Sequence, residues 1–255
     1  MVPVKGAIKN ALERYSAGRR LLAVRLEFRA IRAAFSSHRA APEHSDGFGM
    51  PLNGQLVRMR TIRALLDTFS PDAIIETGTF LGDTTGFFSG NLIPVYSIEV
   101  KFLFHLLARY RLGRHPDVTL IRGDSRRILR MLTRLRRFER PMAYLDAHWW
   151  DELPLQAEVT TILGAWEESV IVIDDCQVPD DPGYRFDTYG GVPLSLNLLR
   201  VPKSVVCAVP AILSSHETGA RRGTLYLGQG SQGASAIHEL AERGYLTITE
   251  SQSTA

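Results

Sequence analysis

The acids of this sequence stand where chemistry can use them. Glu76, Glu99, Asp146 and Asp174 each close a short apolar run, and Asp124 follows another such run after Arg122-Gly123. If the runs are parallel strands, all five carboxylates gather outside the carboxyl ends of one sheet, where open α/β sheets hold their ligands. An acid there accepts hydrogen bonds from ribose hydroxyls, which suits Glu99, and the small residues of Glu76-Thr77-Gly78-Thr79 let backbone approach a ligand closely. The expected ligand is a nucleoside. Dinucleotide and nucleoside triphosphate binding are disfavoured, because Gly78 to Gly82 spells G-x-x-x-G instead of G-x-G-x-x-G and no G-x-x-x-x-G-K-[ST] occurs. An acid at Glu76 would also repel phosphates, whereas it would attract a ligand carrying an amino group and a sulfonium.

The elements that must position these acids alternate along the chain. Leu56, Met59, Ile62, Leu65 and Leu66 have helical spacing within 54–69, and Ser70-Pro71 ends that helix. Strands are expected at 73–76, 95–99, 118–121, 142–146 and 170–174, with helices at 83–89, 102–112, 125–137 and 153–166 between them. Continuous apolar strands separated by helices require a sheet covered on both faces. Two late strands, 205–209 and 224–227, complete an antiparallel edge. The expected fold is therefore α/β, a doubly wound, mostly parallel sheet of seven strands.

On these residues the chain resembles the class I S-adenosylmethionine-dependent methyltransferases. Glu76-Thr77-Gly78-Thr79-Phe80-Leu81-Gly82 is similar to their first motif, in the E-x-G-x-x-x-G version of the small metal-dependent O-methyltransferases. Glu99 matches the ribose-binding acid, and Gly123-Asp124-Ser125 resembles the segment beside the adenine. Leu145-Asp146-Ala147-His148-Trp149 with Ile173-Asp174-Asp175 resembles the paired motifs that hold magnesium in catechol-type and in macrocin and novobiocin sugar O-methyltransferases. The resemblance spans about residues 54–228 and implies a Rossmann-like methyltransferase fold. It further implies an S-adenosylmethionine site at Glu76, Thr77, Gly78, Thr79, Gly82, Glu99, Asp124, Ser125, Asp146, His148 and Trp149, and a Mg2+ site at Asp146, Asp174 and Asp175. Asp146 and His148 become the catalytic candidates. Phe80 departs from the more general E-x-G-x-G-x-G form.

Oxygen ligands suit Mg2+, and a hard divalent ion lowers the pKa of a bound hydroxyl while fixing its direction. His148 has two family-based readings, a neutral-pH general base and a wall against the adenine, beside a purely structural one. Plainer alternatives exist for the acids as well: Glu76 and Glu99 satisfied by backbone amides, Asp174-Asp175 capping the next element, and Asp124 with Ser125 capping a helix. The turn-rich, aromatic stretch 178–191 lies where an acceptor would enter, so Tyr184, Asp187 and Tyr189 are acceptor-binding candidates. A second loop, 214–222, is placed to close the same pocket. Its His216 is a reserve base candidate whose default is a solvated loop histidine.

Length and composition frame the rest. The 255 residues, 45% hydrophobic and 22% charged, fit an ordinary folded chain and exclude collagen-like, disordered and disulfide-scaffold classes. Cys176 and Cys207 are too few for a stapled framework. No apolar run reaches a bilayer span and the start lacks a secretory centre, so a cytoplasmic location is expected. Net charge is +3, yet residues 1–40 hold nine Lys/Arg against Glu13 and Glu27. Leu21, Val24, Phe28, Ile31 and Phe35 have helical spacing there, so 1–50 reads as a basic amphipathic helical extension (helical over 3–36) with a linker over 37–54. The domain proper is taken as 51–255. The apolar stripe suits packing on the domain or a homodimer, and the basic face leaves an anionic membrane or nucleic acid open. An O-methyltransferase acting on a small polyhydroxylated acceptor leads. RNA ribose methylation and a non-catalytic S-adenosylmethionine-binding module are the alternatives, and the missing N-P-P-[YF] argues against amino-group methylation of nucleic acid.

Overall fold

The computed structural model describes residues 25–29, 31, 32, 46–148 and 153–250. It divides into two units, 1–39 and 40–255. In the first, residues 25–29, 31 and 32 are helical. The remainder of the expected helix over 3–36, with any dimer contact it makes, lies outside the described residues.

The second unit alternates strands and helices: β1 (Ala73–Thr77), β2 (Val95–Glu99), β3 (Val118–Arg122), β4 (Pro141–Leu145) and β5 (Ser169–Asp174), joined through α2 (Asp83–Phe88), α3 (Phe102–Leu112), α4 (Ser125–Leu135) and α5 (Leu155–Ala165). Helix α1 (Leu56–Phe69) precedes β1. A short pair, β6 (Thr188–Tyr189) and β7 (Val192–Pro193), follows β5, and β8 (Val206–Pro210), β9 (Thr224–Gln229), α6 (Gly230–Glu242) and β10 (Leu246–Thr249) complete the unit. The main sheet runs β3-β2-β1-β4-β5-β9-β8-β10. Its first five strands are parallel, β9 is antiparallel to both β5 and β8, and β10 is antiparallel to β8. The chain winds outward from β1 to β3 and then returns to lay β4 beside β1. The ligand crevice of such sheets opens at that reversal.

Continuous apolar strands work here because each is buried on both faces. Ile75, Ile171 and Ile173 pack with Leu129, Leu132, Val159 and Ile162 of α4 and α5, whereas Ile74, Val170 and Val172 pack with Ile62, Leu65, Ile237 and Leu240 of α1 and α6. Alternation along each strand thus feeds two cores. Asp124 caps α4 by accepting from the Arg126 amide at 2.9 Å, and Ser70, left-handed with φ +50°, ends α1 before Pro71.

The sheet has eight strands where seven were expected, and α6 with β10 is the added piece. Its first turn, Gly230-Ser231-Gln232-Gly233, is poor in helix formers, and the group that makes it helical is distant in sequence. The Glu168 carboxylate accepts from the amides of Ser231, Gln232 and Gly233 at 2.9, 2.8 and 3.1 Å, capping the helix from outside. Gly228 lets the helix lie against β9, since a Cβ there would stand 2.4 Å from the Gly233 carbonyl oxygen, and a Cβ on Gly233 would stand 2.5 Å from the Ser169 carbonyl oxygen of β5. Those amide bonds hold the Glu168 carboxyl below its usual range despite burial, so its contribution to stability is lost as pH falls. Glu168→Ala is expected to lower the unfolding free energy by about 1–2 kcal/mol near neutral pH, with the difference shrinking toward acid, in urea denaturation.

Candidate active site

The turn after β1 is shaped by its neighbours on either side. The amides of Gly78 and Thr79 donate to the Ile98 carbonyl of β2 at 2.9 and 3.3 Å, while the Asp146 amide donates to the Thr77 carbonyl at 2.9 Å. Gly78 has φ +88°, and a Cβ there would lie 2.2 Å from the Asp146 carbonyl oxygen. Glycine is therefore required by β4, independently of any ligand. Gly82 is favoured instead by its own left-handed backbone, φ +77°, since the nearest atom to a Cβ there is the movable Leu112 side-chain tip. Phe80 also adopts a left-handed backbone, φ +51°. The position where the general motif has glycine keeps glycine-like geometry, at a cost of roughly 1–2 kcal/mol. Edge-on packing of the Phe80 ring on Phe48 and Phe104, at 5.4 and 4.8 Å between centroids, offsets that strain.

Glu76 and Glu99 stand on adjacent strands but differ in what they do. Glu76 is buried, with Oε2 accepting from the Ser97 and Thr85 hydroxyls, and burial pushes its carboxyl up to about 7. It braces the turn from below. Glu99 accepts from the Phe80 amide at 2.9 Å through Oε2 and from the Lys101 amide at 2.8 Å through Oε1. Backbone amides thus satisfy it in part, and each oxygen retains a lone pair. Thr79 is buried with its hydroxyl 2.6 Å from that of Ser97. Across β1, the Thr77 hydroxyl and both oxygens of Glu158 on α5 are buried without a hydrogen bond of ordinary geometry, near Ser125. Asp124 serves as the α4 cap and pairs with the Arg126 side chain.

The ends of β4 and β5 carry a denser cluster. Asp174 is buried and spent on the protein: Oδ1 pairs with the buried Arg58 of α1 at 2.5 Å and accepts from the Asp175 amide, while Oδ2 accepts from the Tyr144 hydroxyl at 2.7 Å and from Asn53 Nδ2 at 2.9 Å. Burial alone would raise its pKa. Arg58 and these hydrogen bonds outweigh it and hold Asp174 below its usual range. Asp175, left-handed with φ +59°, accepts from Arg222 through Oδ1, and Arg222 reaches Asp187 as well. Burial first, and then the neighbouring carboxylates, raise Asp175 and raise Asp146 well above the ordinary range. His148 is 2% exposed, and neither ring nitrogen has a hydrogen-bond partner among the described residues. Its Nε2 lies 4.0 Å from both Asp146 Oδ1 and Asp175 Oδ2. Among the described residues, Asp146, His148 and Asp175 form the group whose ligand atoms all fall within 4.8 Å of one another.

This arrangement departs from the expected ligand set at Asp174, whose oxygens are occupied, and His148 stands in its place. A purely packing role for His148 conflicts with two buried, unpaired nitrogens. Tyr189 meets the His148 ring edge-on at 6.2 Å, and the Asp187 amide donates to the Asp175 carbonyl, so the β6-β7 loop flanks the cluster. Tyr184 is a core residue instead of an acceptor contact, with its hydroxyl donated to the Ile212 carbonyl at 2.8 Å. His216 lies on an exposed turn, and the active member of its loop is Arg222. Trp149 lies outside the described residues. Arg58, Asn53, Tyr144 and Arg222 were absent from the expected site. A single Arg beside the apolar stripe of α1 carries no local sign that its partner is 116 residues away.

Glu76 and Glu158 are both pushed up to about 7 by burial, so the folded chain favours their neutral forms. Their stabilising contribution is complete below the ordinary carboxyl value of 4.5 and is lost as pH rises through about 7. Glu158→Gln is expected to gain stability relative to the parent between about pH 5 and pH 8, by on the order of 3 kcal/mol. Denaturant midpoints at both pH values check this, and a pH-independent difference would refute it.

No protein-family model matches the chain, and no curated protein matches it in sequence. Solved structures do match. A proposed O-methyltransferase from Klebsiella pneumoniae superposes with a TM-score of 0.54 at 16% identity, covering 81% of this chain and 89% of that one. An O-methyltransferase from Bacillus cereus, solved with S-adenosylhomocysteine, gives 0.52 at 16% identity over 83% of this chain and 89% of that one. At such identities the likeness speaks to architecture. The 40–255 unit has the Rossmann-like, mostly parallel α/β fold of the class I O-methyltransferases.

Proposed function

We propose that this chain is an S-adenosylmethionine-dependent O-methyltransferase that methylates a hydroxyl of a small polyhydroxylated acceptor beside a bound divalent ion. The observation that carries this reading is the convergence of Glu99, Asp146 and Asp175 on the crevice at the β1-β4 reversal, with a negative excess at its floor. Among the described residues, only Arg58 and Arg222 pair as arginine cations with Asp146, Asp174, Asp175 or Asp187. The S-adenosylhomocysteine of the Bacillus cereus structure supports the choice of ligand for this fold.

Glu99 fits the ribose diol, because each of its oxygens has one lone pair left after the backbone amides are served. The Gly78-Thr79 turn borders the methionine end, and Asp124 and Ser125 border the adenine. Asp146 and Asp175 would hold the ion, a reading supported by their lying within reach of the unpaired His148 Nε2. When bound, that ion lowers the pKa of the acceptor hydroxyl and directs it. Asp187 and Tyr189 flank the acceptor. In the transfer a carbon–oxygen bond forms, the carbon–sulfur bond breaks with its electron pair going to sulfur, and the hydroxyl proton is released. The residues around the crevice contribute alignment of oxygen, carbon and sulfur, which supplies much of the rate in such displacements.

Glu99→Gln is expected to weaken S-adenosylmethionine binding at least roughly tenfold by calorimetry. Asp146→Asn is expected to abolish methyl transfer to vicinal-diol acceptors, read as a gain of one methyl by mass spectrometry, while cofactor affinity stays within about tenfold. It should also leave the ion-free fold as stable or more so, since it removes one of several crowded acids. Failure of the parent chain to bind S-adenosylmethionine would defeat the proposal, and full activity in excess chelator would remove the ion from it.

A further inference from the structure

We infer that the crevice takes its divalent ion through a mixed nitrogen and oxygen set, His148 with Asp146 and Asp175, and so selects a first-row transition ion such as Mn2+ over Mg2+. The inference rests on the proposed function for the presence of an ion at this place and goes beyond it in the ligand set and the class of metal.

Three observations carry it. The first is that His148 is buried with both nitrogens unpaired, a state that costs on the order of 1–3 kcal/mol unless a partner completes it. Its Nε2 is equidistant, at 4.0 Å, from one oxygen of Asp146 and one of Asp175. That separation is too long for a hydrogen bond and short enough for one ion to touch all three atoms. The second is that a set of three carboxylates is closed. Asp174, the third carboxylate such a set would use, serves Arg58, Tyr144, Asn53 and the Asp175 amide. The third is that Asp175 is already oriented: Arg222 takes its Oδ1 and leaves Oδ2 toward His148. Imidazole is a poor ligand for Mg2+ and suits first-row ions such as Fe2+, Ni2+ and Zn2+ best, while Mn2+, a first-row ion that also favours carboxylates, is the one of them closest to Mg2+ in its ligands and so the most stringent probe. One nitrogen and two carboxylates with open positions left for acceptor hydroxyls are the ligand chemistry of such ions.

The test uses the metal-stripped full chain. Titration with Mn2+, followed by loss of the free-ion electron paramagnetic resonance signal, is expected to give one site per chain, from which Mg2+ displaces Mn2+ only at roughly hundredfold excess or more. Pulsed resonance of the bound Mn2+ should show coupling to a directly ligated nitrogen. His148→Ala should remove that coupling and weaken Mn2+ binding at least about tenfold, while changing Mg2+ affinity less than about threefold. The nitrogen coupling is read on the parent chain, so the inference stays testable if His148→Ala does not fold. Equal affinity for Mn2+ and Mg2+, or bound Mn2+ without nitrogen coupling, overturns it. Calorimetry with S-adenosylmethionine separates the two proposals. Nitrogen-ligated Mn2+ in a chain that binds no S-adenosylmethionine upholds the metal site and defeats the methyltransferase reading, whereas methyl transfer with no bound metal does the reverse.

Discussion

Crowded negative charge at the carboxyl ends of the sheet is the constraint around which this molecule is organised. Parallel strands bring their ends to one side, so acids that are far apart in sequence become neighbours in a partly dry crevice. Ionised carboxylates cannot share such a place without counter-charge or hydrogen-bond donors. The chain answers differently at each acid: hydroxyls for Glu76, backbone amides for Glu99, a buried guanidinium for Asp174, and a shared guanidinium for Asp175 and Asp187. Asp146 receives no cation from the described residues. That asymmetry distinguishes the part of the crevice that is finished from the part that asks for a ligand.

The finished part depends on a relay of contacts that reaches well outside the crevice. Glu217, in the loop before β9, accepts from the Val57 and Arg58 amides at 3.0 Å and so caps the N-terminus of α1. Capped in this way, α1 presents Arg58 to Asp174. Gln55 exchanges hydrogen bonds with the backbone of Arg222, and the Asn53 carbonyl accepts from the Ala220 amide. Residues 53–58 and 217–222 therefore act as one clamp. Its effect is to remove Asp174 from the set of available ligands and to leave His148 facing the two acids that remain.

Conformational strain is concentrated at the same end of the sheet. Phe80 and Asp175, both left-handed without being glycine, flank the crevice on the β1 and β5 sides. Phe80 is held there by Phe48, from the stretch that reads as a linker, so the end of that stretch is part of the site's scaffold. Strained backbone of this kind persists only where surrounding contacts over-determine it, and here those contacts are the Glu99 carboxylate, the aromatic pair and the Arg222 clamp.

The order of strands and helices from α1 to β5, and the side of the sheet to which the five strand ends point, were legible in the linear chain, because hydrophobic period and turn residues are local properties. Glycine spacing also marked the turn after β1, and the fold supplies a reason for it in the carbonyl of Asp146, which leaves no room for a Cβ at Gly78. What each acid does was decided by the tertiary structure. A carboxylate at a strand end looks the same in sequence whether its oxygens are spent or available. The difference for Asp174 is made by Arg58, and for the start of α6 by Glu168, 116 and 63 residues away respectively. Pairing over such distances leaves no local pattern, since neither partner alters the propensity or periodicity of the other's segment. Only folding brings the donor within reach and thereby settles which atoms remain for chemistry.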